Sequence, residues 1–112
     1  MNREEAHAQN IRRYGSELKA AETAYAVAEA TEKQTLAILM FRAENEHGCK
    51  SGVAQSAWAE RQQEMFDARV LRATAKGELA AAKANLLAAE VAFKQWQTEQ
   101  AALRLEQRVY KV

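Results

Sequence analysis

Apolar residues recur along this chain at alternating spacings of three and four, which is the cadence of one buried helix face. The first such stripe is Ile11, Tyr14, Leu18, Ala21, Tyr25, Ala28, then Leu36, Leu39, Met40 and Ala43. It weakens around Glu32. It predicts one helix over about 3–46, with Gly15 as a local weak point and the first ten residues expected to fray. The only strong loop signal follows, Asn45-Glu46-His47-Gly48-Cys49-Lys50-Ser51-Gly52. Gly48 can take the left-handed conformation that ends a helix, and Ser51 can cap the next one.

Beyond the loop, over about 53–110, the pattern becomes a strict seven-residue repeat. One heptad position reads Met65, Arg72, Leu79, Leu86, Phe93, Gln100, Gln107. Its partner reads Ala68, Ala75, Ala82, Ala89, Trp96, Leu103, Tyr110. A repeat this sustained predicts a coiled coil, and four alanines in a row predict close approach of a neighbouring backbone. The expectation is all-α: a single domain over 1–112, folded as a long antiparallel helical hairpin with its loop at 47–52. The alternative is a break near Gly77, giving a three-helix bundle of about 3–46, 53–74 and 78–110. Continuity through Gly77 is favoured, because the heptad crosses it without a change of phase.

Composition reinforces this reading. There is no proline, and 25 of the 112 residues are alanine; alanine is the best helix former and proline the strongest breaker. Large apolar residues are scarce, which suits a thin seam between helices better than a thick core. At roughly 1.5 Å per residue the two helices would be roughly 65 and 85 Å long, leaving about 14 residues of the second uncovered. That overhang carries Trp96, Leu103, Leu105, Val109 and Tyr110. Uncovered apolar residues need a partner. Phe93, Trp96, Leu103 and Tyr110 are therefore the expected interface residues, with a homodimer the simplest cover and a protein partner the other.

Candidate chemistry is thin. Glu46, His47 and Cys49, with His7, could contribute to a metal site, but structural zinc needs four ligands and no paired motif occurs. Cys49 beside His47 lacks the orienting third group a nucleophile needs. Catalytic, cofactor-binding and metal residues are accordingly expected to be none, and the chain is not expected to be an enzyme. The net charge is only +1, so a nucleic-acid-coating protein is not favoured. Arg69, Arg72, Lys76 and Lys83, with Lys94, Arg104, Arg108 and Lys111, keep a nucleic-acid accessory role as the second reading. Trp58 is read as hairpin core, facing Leu39 to Ala43. The single cysteine and the absence of an apolar run of about 20 residues point to a cytoplasmic protein with no membrane span.

The loop with Ser51, the following helix rich in Glu, Ala and Arg, the run Ala88-Ala89-Glu90-Val91-Ala92-Phe93-Lys94-Gln95-Trp96 and the closing Gln100, Arg104 and Arg108 resemble small coiled-coil proteins encoded by tailed bacteriophages or prophages. The resemblance runs from about residue 15 and rests on composition and cadence. It implies a phage accessory or inhibitor protein, or a factor in phage replication or recombination, working in the host cytoplasm. The Trp-x-Gly turn of the small secreted WXG hairpins is absent, the turn here being Gly48-Cys49-Lys50.

Overall fold

The protein is described from a computed structural model, in residues 2–110. Every element among them is helical: α1 (Arg3–His47), α2 (Gly52–Glu60) and α3 (Gln63–Tyr110). The fold is all-α, and no strand occurs among the described residues.

Each helix end has a local cause. The Asn2 side chain accepts from the Glu5 N–H at 2.8 Å, and Glu4 and Glu5 complement the positive end of α1. The first ten residues, expected to fray, are helical from Arg3 onward. At the other end Gly48 has φ 68, the left-handed conformation that closes a helix. The Cys49 N–H donates to the Ala43 carbonyl at 3.0 Å. Ser51 then caps α2, its Oγ accepting from the Ala54 N–H at 3.1 Å.

The expected single helix over 53–110 is interrupted, but not at Gly77, which lies inside α3. The break falls at Arg61–Gln62, where no glycine or proline marks it. Counting the heptad back from Met65 and Ala68 would place Trp58 and Arg61 in the seam. Trp58 does pack against the core, but at the break full burial falls on Ala59 and Arg61 stays exposed. Arg61 and Gln62 donate to the Trp58 and Ala59 carbonyls in tight i−3 turns, and the Gln62 side-chain amide donates to the Trp58 carbonyl at 2.9 Å.

The chain divides into two compact units, one of residues 20–80 and one joining the residues before 20 to those after 80. In the 20–80 unit α1 packs antiparallel to α2 and the first part of α3. Its core is Leu39, Ala59 and Met65, with Leu36, Met40 and Trp58 against them. Ala28, Ala43, Ala68 and Ala75 are also buried. Trp58 stacks on His47 at 4.5 Å, and the Arg42 guanidinium sits 5.9 Å over the same indole. Arg42 also pairs with Glu64 at 3.0 Å and Glu46 at 3.6 Å. In the second unit the start of α1 runs antiparallel to the last part of α3, where Ala82 is the one buried residue among those described.

Candidate functional site

Burial along α3 follows the two heptad positions. Met65, Ala68, Ala75 and Ala82 are buried, and Leu79, Leu86, Ala89, Phe93, Trp96 and Gln100 are half-buried. Arg72 is the exposed exception. The pattern stops after Gln100, because α1 begins there: Glu4 lines a groove with Trp96, Gln97, Gln100 and Arg104. From Ala101 to Tyr110 every residue is exposed.

The four residues expected to form an interface therefore separate into two pairs. Phe93 and Trp96 are covered from within the unit by His7, whose ring lies 5.7 Å from each. They lie nearly parallel to one another, with centroids 6.1 Å apart. The Trp96 Nε1 is buried and has no hydrogen-bond partner. Leu103 and Tyr110 are exposed, by 50% and 87%, and Leu105 and Val109 beside them are likewise open. The exposed arm thus has four large apolar side chains on a continuous helix, with Arg104 and Arg108 between them. Lys111 and Val112 lie outside the described residues.

His7 was not legible as part of this arrangement. An isolated histidine among Ala6, Ala8 and Gln9 gives no apolar signal, although it sits four residues before Ile11 on the stripe.

The remaining candidates are placed as follows. Cys49 is half-buried in the loop, and its thiol lies 3.9 Å from the His47 carbonyl. No cluster of three or more His, Cys, Asp or Glu suited to a metal occurs among the described residues. Of the basic set on α3, Arg69 pairs with Glu60 at 3.0 Å and Arg72 with Glu32 at 3.2 Å. A hydrogen bond to the Tyr25 side chain, and then the Glu32 carboxylate, push the Arg72 guanidinium above its already high ordinary value. Lys76 and Lys83 are exposed. No described helix is long and apolar enough to cross a membrane. Compared with protein-family models, curated proteins and solved structures, the chain matches none.

Proposed function

We propose that this protein is a non-catalytic interaction module whose docking element is the arm Ala101–Tyr110, and that a second copy of the chain covers that arm. The carrying observation is that Leu103, Leu105, Val109 and Tyr110 are exposed together on one ordered helical segment. Fully burying a large apolar side chain is worth about 1.5–3 kcal/mol, so leaving four in water favours association. The arm is only about 15 Å long. Such an arm buries less than a standard stable interface, so micromolar association is the expected strength.

A nucleic-acid role is less well supported. Arg69 and Arg72 are already held by Glu60 and Glu32, which takes two cations from the set that reading needs. The resemblance in cadence to phage-encoded coiled-coil proteins leads us to infer a phage accessory or inhibitor protein acting in the host cytoplasm.

Sedimentation equilibrium at micromolar concentration tests the proposal. The parent should sediment as a dimer and the Leu103→Ser/Tyr110→Ser variant as a monomer with unchanged helicity. A monomeric parent would overturn it.

A further inference from the structure

The seam of the 20–80 unit contains one layer that is not apolar. Arg72 occupies the heptad position held by Met65 before it and Leu79 after it. Opposite lies Glu32, on the stripe between Tyr25 and Leu39, with its side chain only 19% exposed. The two meet at 3.2 Å. Both interruptions are visible in the sequence, 40 residues apart, and the fold makes them one layer.

The rest of the seam repeats itself. Leu39 packs in one cluster with Met65, and Ala28 lines a groove with Ala75. Moving seven residues back along α1 from Leu39 reaches Glu32, and moving seven forward along α3 from Met65 reaches Arg72. If α3 slipped by one heptad so that Leu79 took the place of Arg72, Ala75 and Ala82 would take the places of Ala68 and Ala75, and Leu86 that of Leu79. Within the 20–80 unit two charge contacts would be lost, Glu32–Arg72 in the seam and Arg42–Glu64 beside it. Glu32 would then face Leu79 and Arg72 would face Leu39, leaving a carboxylate and a guanidinium unpaired against apolar neighbours. The loop does not fix this phase alone, because α2 and the non-helical step at Arg61–Gln62 separate it from α3.

We propose that the Glu32–Arg72 pair is a register lock, which selects one alignment of α1 and α3 among heptad-spaced alternatives that the alanine seam accepts almost equally. A polar group at a core heptad position sets register at a cost in stability. Replacing a paired charge layer by apolar residues is correspondingly often neutral or stabilising. The pair therefore acts on specificity rather than on strength.

The test measures alignment directly. In a Cys49→Ser background, spin labels are placed at Ala30→Cys and Ala73→Cys, both exposed, and the labelled protein is diluted with unlabelled chain. The parent should give a single inter-label distance. Glu32→Leu/Arg72→Leu should stay helical, melt at or above the parent temperature and show a second distance population, from α3 displaced by about 10 Å along its axis. The charge exchange Glu32→Arg/Arg72→Glu should restore a single distance. A single parental distance in the apolar variant would overturn the proposal. So would an apolar variant that unfolds, since the pair would then supply stability rather than choice, or a charge exchange that leaves two populations.

Discussion

The two compact units are built from the same two long helices and the same heptad, yet they bury their seams to different depths. In the 20–80 unit Leu39 and Met65 are about 99% buried and Ala59 fully so. In the unit that joins the chain ends, Ala82 alone among the described residues is buried, and Phe93, Trp96, Ile11 and Tyr14 remain half-exposed. The difference lies in matching sizes. In the first, large side chains face alanines, and α2 adds a second surface against Leu39. In the second, aromatic rings meet His7 and one another, and two helices alone cannot enclose rings of that size. A coiled-coil pattern thus states which face is buried but not how well.

The comparison can be broken most sharply in the better-packed unit. Leu39→Ala removes one of the two largest enclosed side chains and should cost about 2–5 kcal/mol, read from chemical denaturation. A loss below about 1 kcal/mol would mean that this core collapses around the cavity and is no tighter than the other unit. A smaller effect is expected at the entry to α2. Ser51→Ala deletes the acceptor of the Ala54 N–H and should cost about 0.5–2 kcal/mol. No change in melting temperature would show that α2 is held by packing alone.

The smallest effect, and the one of opposite sign, is expected in the other unit. The Trp96 Nε1 is a buried donor with no partner, and an unsatisfied donor costs about 1–3 kcal/mol. Trp96→Phe removes it together with part of the ring, so stability should stay level or rise by up to about 1 kcal/mol. A clear loss would show that indole packing outweighs the orphaned N–H.

Much of the architecture was legible from the residues. The absence of proline, the glycines flanking Cys49, the Ser51 cap and the alanine repeat give the helices, the loop and the buried face of α3. Trp58 packs on the Leu39 cluster as its position implies. The break at Arg61–Gln62 was not legible, because it carries no breaker residue. Nor was the Glu32–Arg72 layer: each interruption reads as a local weakness until the fold sets them side by side. The candidate interface was half legible. Spacing identified Phe93 and Trp96 as apolar anchors, but only the position of His7 shows that they are covered, which moves the open surface to Leu103, Leu105, Val109 and Tyr110.

Amide hydrogen exchange of residues 101–110 as a function of protein concentration tests most directly whether that arm is a docking surface. Backbone bonds on an uncovered helix end open readily, and bonds beneath a partner do not. Protection of these amides should rise as concentration passes through the micromolar range, while amides around Leu39 and Met65 stay unchanged. Exchange over 101–110 that is equally fast at the lowest and highest concentrations would contradict the account.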